Sequence, residues 1–326
     1  MSEISSGTVL ITGPTGGLGR SATMAMANRP AGERPGLLLV GRPGQALHDV
    51  GDQARAAGAT VHEIGCDLSR LADVRAAVAT VKDLLRSEAV RPLRGLVANA
   101  GLAVLDTRNA SADGYELTFA VNYLAHAQLI DGLLDSFTTP ARIVLVGSNT
   151  YYANWVRRLM MVPAAEWTDP LEIAKPAGSD VSPTQKAAGV AYSNSKLAIL
   201  YYAHELQRRV PEGINVAVFE PGFMPGTGLA RQHSPGVQRI GRGMQLLPLP
   251  GIASPVQSGP KLASVTLDER WAHLRDGDFV VIDKERDVRP IANDPGRERR
   301  LWDATRELLN QAVMRSGTVP TGKDGA

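Results

Sequence analysis

A tyrosine and a lysine four residues apart, in Tyr192-Ser193-Asn194-Ser195-Lys196, are well suited to move a proton. On a helix, positions i and i+4 share a face, which brings the ammonium beside the phenol. A positive charge there lowers the phenol pKa and lets it act as a general acid or base nearer neutral pH. The bland alternative for such a pair is a solvated helix face. Ser148 adds a hydroxyl at the end of the apolar run Arg142-Ile143-Val144-Leu145-Val146-Gly147. A third cluster, Thr12-Gly13-Pro14-Thr15-Gly16-Gly17-Leu18-Gly19, follows the apolar run at 8–11 and leads into a helical pattern (Leu18, Ala22, Met26). Glycine permits positive φ in such a turn and close approach of backbone to a pyrophosphate, and helix N–H groups then bind the phosphates.

These residues need a scaffold that gathers them, and the chain supplies its pattern. Short runs rich in Val, Leu and Ile recur at 8–11, 37–40, 60–64, 95–98, 142–146 and 215–219. They lack polar alternation, as strands buried on both faces do. Helical stripes lie between them, the clearest being Val74, Ala77, Val78, Val81, Leu84 and Leu85 with Ser69 as its expected cap. Alternating strand and helix predict an α/β fold, a Rossmann-type doubly wound parallel sheet in three α/β/α layers. Strand ends of such a sheet converge on a ligand crevice. About twenty residues beyond the glycine turn, the second strand ends in Gly41-Arg42 with no acidic residue. Arginine there favours a 2′-phosphate and thus NADP(H) over NAD(H). Asp67 and Leu68, after the third strand, are placed for the adenine edge; a helix-start role is the alternative for Asp67.

The chain is expected to form one domain over its 326 residues, with an insert at 149–191, a glycine- and proline-rich lid at 222–260 and a loose tail at 316–326. A last strand at 279–282 and a helix from 297 to about 313 separate lid from tail. Trp155, Leu159, Met160, Met161 and Trp167 in the insert are either substrate wall or ordinary packing, and Tyr151 and Tyr152 are candidates to line the pocket. With 44% hydrophobic and 21% charged residues, the composition is that of an ordinary globular protein. Cys66 is the sole cysteine, which excludes a disulfide framework, and it reads as a small buried hydrophobe. Net charge +2 argues against nucleic-acid binding. The six histidines, His126 among them, show no metal spacing and read as surface or satisfied core groups. Neither a secretory signal nor a membrane span is legible, so a cytoplasmic protein is the expectation.

The glycine spacing fits two patterns. Through Gly13, Gly17 and Gly19 it reads T-G-x-x-x-G-x-G, as in short reductases; through Gly13, Gly16 and Gly19 it reads T-G-x-x-G-x-x-G, as in sugar-nucleotide epimerases and dehydratases. With Ala98-Asn99-Ala100-Gly101 after the fourth strand, Asn122 in a helix, Ser148, Tyr192, Lys196 and Pro221-Gly222 after the sixth, the chain resembles the short-chain dehydrogenase/reductase family over roughly residues 8 to 230. The resemblance implies that Tyr192 exchanges a proton with the substrate oxygen and that Ser148 hydrogen-bonds the same oxygen. Lys196 would hold the cofactor ribose, Asn122 would position a water relay behind the lysine, and Thr227 would touch the carboxamide. Gly13, Thr15, Gly16, Gly17, Leu18, Gly19, Asn99, Ala100, Gly101, Pro221 and Gly222 would line the cofactor cleft.

Arg42, the segment Glu116 to His126, the ending Leu301-Trp302-Asp303 and the long insert are similar to the retinol-dehydrogenase and protochlorophyllide-reductase branch. That branch's pigment reductases carry cysteines where this chain has Ala98 and Ala198, so light-driven reduction of the pigment is not expected. The expectation is an NADP(H)-dependent oxidoreductase acting on a carbonyl or secondary alcohol of a bulky, largely apolar molecule, as monomer or homodimer. Arginine outnumbering lysine, with abundant alanine and glycine, suggests a GC-rich bacterial genome and a ketoreductase of secondary metabolism. The alternatives are an epimerase or dehydratase without net cofactor turnover, which Asn99 to Gly101 and Asn122 disfavour, and a non-catalytic NADPH-binding sensor.

Overall fold

The computed structural model describes residues 3–153, 162–224 and 253–317. The apolar runs are strands: β1 (Thr8–Thr12), β2 (Gly36–Gly41), β3 (Val61–Gly65), β4 (Leu93–Ala98), β5 (Phe137–Val146) and β6 (Ile214–Glu220). β7 (Asp278–Val281) is the strand expected at 279–282, shifted by one residue, and a short β8 (Lys284–Arg286), too polar to read as a strand, pairs antiparallel with it. The sheet order is β3-β2-β1-β4-β5-β6-β7-β8, parallel through β7. Strand order reverses between β1 and β4, so the crevice outside their carboxyl ends is where ligands of such sheets bind.

Helices cover both faces: α1 (Gly17–Ala27), α2 (Gln45–Ala56), α3 (Leu71–Arg86), α4 (Leu117–Phe119), α5 (Ala125–Leu133), α6 (Pro170–Ile173), α7 (Gln185–Gln207), α8 (Pro255–Leu267) and α9 (Pro295–Gly317). Because side chains alternate along a strand, neighbouring residues feed different cores. Leu10 and Leu38 pack with α3, α5, α7 and α9, whereas Val9, Ile11, Leu37 and Leu39 pack with α1, α2 and α8. Among the described residues no helix is long and apolar enough to cross a membrane.

Several local expectations need correction. Ser69 does not cap α3: its hydroxyl and amide both donate to Asp67 Oδ1, an Asx turn that competes with the cap. Arg70 is the N-cap, and Asp113 Oδ2 accepts from Leu71 N at 2.9 Å. The helix bearing Tyr192 begins at Gln185, capped by Thr184, so Tyr192 lies inside α7 and the 149–191 insert overlaps its first two turns. The 222–260 lid is likewise cut short. Ser254 and Gln257 form a reciprocal capping box, and residues from Pro255 on belong to α8. Helix α9 reaches Gly317, which takes the first two residues of the expected tail. Residues 154–161, with Trp155, Leu159, Met160 and Met161, 225–252, with Thr227, and 318–326 lie outside the described residues.

Candidate active site

The glycine turn has the shape of an anion cradle. Gly13 and Gly17 adopt φ of +64° and +52°. A Cβ on Gly19 would sit 2.1 Å from Gly13 O and 2.4 Å from Asn99 Nδ2, so no other residue fits. The N-cap of α1, Gly16, offers no side chain to the helix amides, and nothing lies within 4 Å of a Cβ built on Gly17. Uncapped amides facing open space are what a phosphate requires. Thr15 and Leu18 complete the turn. The carboxyl ends of β1 and β4 are stitched together above it. Asn99 Nδ2 donates to Thr12 O at 2.8 Å, and the amides of Asn99 and Ala100 both donate to Thr12 Oγ1 at 3.0 Å. Gly101 follows on the exposed side of this junction.

Arg42 is exposed just past the end of β2. Asp67 sits at the corresponding end of β3 with Oδ1 engaged by Ser69, while the Leu68 side chain is buried in the core and leaves only backbone for a ligand. Across the crevice, Pro221 O accepts from Ser258 Oγ at 2.6 Å, and Gly222 turns with φ +87° against Ala253. This set of turns fits a dinucleotide.

The hydroxyl and amine groups meet where β5 and α7 approach. Ser148, at the end of β5, bonds the Tyr192 phenol and accepts from Thr150 N at 3.3 Å. Lys196 is 4% exposed, lies 5.6 Å from the Tyr192 ring centroid and donates to Val146 O at 2.8 Å. Asn122 lies in a π-helical turn (Ala120–Leu124), and its Oδ1 accepts from Leu102 N at 2.8 Å. A Cβ on Gly101 would lie 3.2 Å from Asn122 Oδ1 and 4.0 Å from Lys196 Nζ, so these two side chains border one space.

The electrostatics differ from the expectation. Burial, then the negative charge of Glu220, push the Tyr192 phenol well above its ordinary value, and the Ser148 hydroxyl only partly offsets them. Burial also brings the Lys196 ammonium down to about 8. The phenol is therefore a proton donor at neutral pH. Glu220, a buried carboxylate closing β6, went unnoticed in the sequence; one acid after a run of apolar residues and before Pro221 is the signal it carried.

Other candidates fall to packing. Tyr151 is 1% exposed with its hydroxyl accepting from Arg289 N at 2.9 Å, Tyr152 lies under the Arg289 guanidinium, and Trp167 packs edge-on against Tyr201. Cys66 is buried and its thiol pushed up to about 12, so it is inert.

The family model described as short chain dehydrogenase matches residues 7–158. Protochlorophyllide reductase A of Oryza sativa is 28% identical over 324 residues, covering 93% of this chain and 80% of that protein. The chain is thus similar to the short-chain dehydrogenases over its first half and to the protochlorophyllide reductases over most of its length. Solved structures share the fold: a short-chain dehydrogenase from Burkholderia cenocepacia in complex with NADP is 19% identical with a TM-score of 0.61, covering 86% of this chain and 97% of that one. The landomycin C-6 ketoreductase LanV, solved with NADP and rabelomycin, is 18% identical with a TM-score of 0.60, covering 86% and 96%. Where the pigment reductases are expected to carry cysteines, this chain has Ala98 and Ala198, both buried.

Proposed function

We propose that this protein is an NADP(H)-dependent ketoreductase for a bulky, largely apolar substrate. The observation that carries the reading is the protonated Tyr192 phenol, bonded to Ser148 and set beside a buried lysine at the end of β5. A protonated phenol is the form that can give a proton to a substrate oxygen, as carbonyl reduction requires. The nicotinamide would supply the hydride. Tyr192 Oη would give its proton to the substrate oxygen while the Ser148 hydroxyl holds that oxygen in place. Lys196, with one proton committed to Val146 O, would offer the others to the cofactor ribose and to Asn122's side of the site. The uncapped N-terminus of α1 would take the pyrophosphate, Arg42 the 2′-phosphate, and Asp67 the adenine edge. Thr227 would reach the carboxamide.

Leu105 and Phe223, both exposed on the segments leaving β4 and β6, support an apolar substrate, and the 149–191 and 222–260 segments would roof it. Arginine-rich, alanine-rich composition supports a role in bacterial secondary metabolism. The test is fluorescence titration with NADPH and NADH, followed by turnover on a ketone panel. Tighter NADPH binding by about 10- to 100-fold is expected from a charge-assisted phosphate contact; equal affinities would remove the role given to Arg42. Tyr192→Phe should lower kcat by about 10²–10⁴, and a variant that turns over normally would overturn the reading.

A further inference from the structure

His126 is 2% exposed and bonded at both ring nitrogens. Nδ1 lies 3.0 Å from Asn122 O, and a carbonyl only accepts, so Nδ1 carries a proton. Nε2 lies 2.9 Å from Thr12 Oγ1. That oxygen already accepts from the amides of Asn99 and Ala100, so its two lone pairs are taken. Its own proton has Nε2 at 2.9 Å and Val97 O only at 3.5 Å. One arrangement satisfies every group: a neutral ring with Nδ1–H donating to Asn122 and Nε2 accepting from Thr12. Burial and the facing Lys196 ammonium outweigh the Asn122 bond and bring the imidazole down to about 4, which keeps the ring neutral.

The backbone is irregular at this place. The helix is π-wound over Ala120–Leu124, where the ring engages the Asn122 carbonyl. A side chain entering the carbonyl ladder is one cause of such a turn, and π-turns cluster at functional sites. Beyond Asn122 the bonds continue without a break. Asn122 Nδ2 donates to Ser195 Oγ at 3.0 Å and to Leu102 O at 2.9 Å, and Ser195 Oγ donates to Tyr192 O at 2.7 Å. One line of hydrogen bonds thus joins the glycine turn, the end of β4, the π-turn and the α7 backbone at Tyr192.

We propose that His126 is a positioning residue for proton transfer: its Nδ1–H tautomer fixes the Asn122 carbonyl and, through Asn122 and Ser195, the placement of Tyr192 and Lys196 against the glycine turn. This rests on the reading of Tyr192 and Lys196 as the proton-transfer pair.

Two substitutions and one spectrum test it. His126→Leu removes both bonds, whereas His126→Asn keeps an N–H within reach of Asn122 O. His126→Leu should lower kcat by about 10- to 100-fold, as loss of an orienting hydrogen bond does elsewhere, with KM for NADPH changed by less than about threefold. His126→Asn should recover most of that loss. In the protein without cofactor, ¹⁵N-histidine NMR should show the neutral Nδ1–H tautomer from pH 8 down to pH 5. An Nε2–H tautomer, a ring that charges between pH 6 and 7, or a folded His126→Leu enzyme with unchanged kcat would each overturn the proposal. If His126→Leu does not fold, the spectrum and His126→Asn decide, and a His126→Asn kcat reduced 100-fold would count against it. Tyr192→Phe separates the two claims: normal turnover there sinks the functional reading, whereas its loss beside an unaffected His126→Leu sinks only the role of His126.

Discussion

Lys196 is where burial outweighs neighbouring charge. Desolvation brings its ammonium down to about 8, while an unfolded lysine titrates near 10.4. The folded pKa is the lower one, so between about pH 8 and 10.4 the unfolded chain binds more protons and stability rises with pH across that window. Below pH 8 the full penalty of the buried charge is present. Lys196→Met should therefore raise Tm at pH 7 while abolishing turnover, and the gain should shrink to nothing near pH 10.5; a lower Tm at pH 7 would count against the assignment. For the wild-type enzyme, kcat/KM for the cofactor in the reductive direction reports the free enzyme. It should be flat on the acid side of about pH 8 and fall above it as the ammonium is lost, with Tyr192 adding no break because its phenol stays protonated there. Ser148, Tyr192 and Lys196 were legible as candidates from residue type and spacing, and the structure brings them together. The sign of the phenol shift was not legible, because it depends on Glu220, which arrives from β6, and on solvent exclusion. His126 was passed over for a similar reason: its i+4 spacing from Asn122 was visible, but Thr12, its other partner, is 114 residues away.

Among the elements, α1 and α8 show how a glycine can be misread. The glycine-rich stretch from Gly222 to Gly259 looks like a mobile cover, yet Gly259 lies in α8, and a Cβ there would be 2.3 Å from Ser21 Oγ and 2.6 Å from the Ser21 carbonyl carbon. A glycine needed for helix contact and one needed for a loop have the same letter. The Ser254-Pro255-Val256-Gln257 signature of a helix start was present and would have separated them. Gly259→Val forces the two helices apart, and overpacking of this kind costs about 1–3 kcal/mol. Thermal melts should show Tm lowered by several degrees. An unchanged Tm would mean that the contact yields without strain. The strands were read more faithfully than the helix ends. A buried strand declares itself through its own side chains, whereas the starts of α3 and α7 were set by Asp67, Asp113 and Thr184 acting through particular hydrogen bonds.

At the scale of the molecule, α9 binds the catalytic layer from behind. Tyr115 Oη donates to Leu308 O at 2.6 Å, Tyr123 and Thr305 share a hydroxyl bond at 2.5 Å, and buried Glu298 takes His204 at 2.9 Å and Arg208 at 2.5 Å from α7. Leu301, Leu308 and Ala312 fill the core shared with α3, α5 and α7. We propose that the chain folds as one cooperative unit for this reason. A chain ending at residue 294 should lose its cooperative thermal transition, read by circular dichroism; a sharp melt at the wild-type temperature would show α9 to be an appendage. By itself the sequence determined the alternation of strand and helix, the parallel sheet and the glycine turn, and it named the candidate groups for moving a proton. These follow from local periodicity and residue chemistry, which need no partner. Only the tertiary structure decided which way the Tyr192 phenol is biased, which histidine reaches both Asn122 and Thr12, and where the glycine-rich stretch gives way to a packed helix. Each of those depends on groups far apart in the chain meeting where water is excluded, and no local pattern records such a meeting.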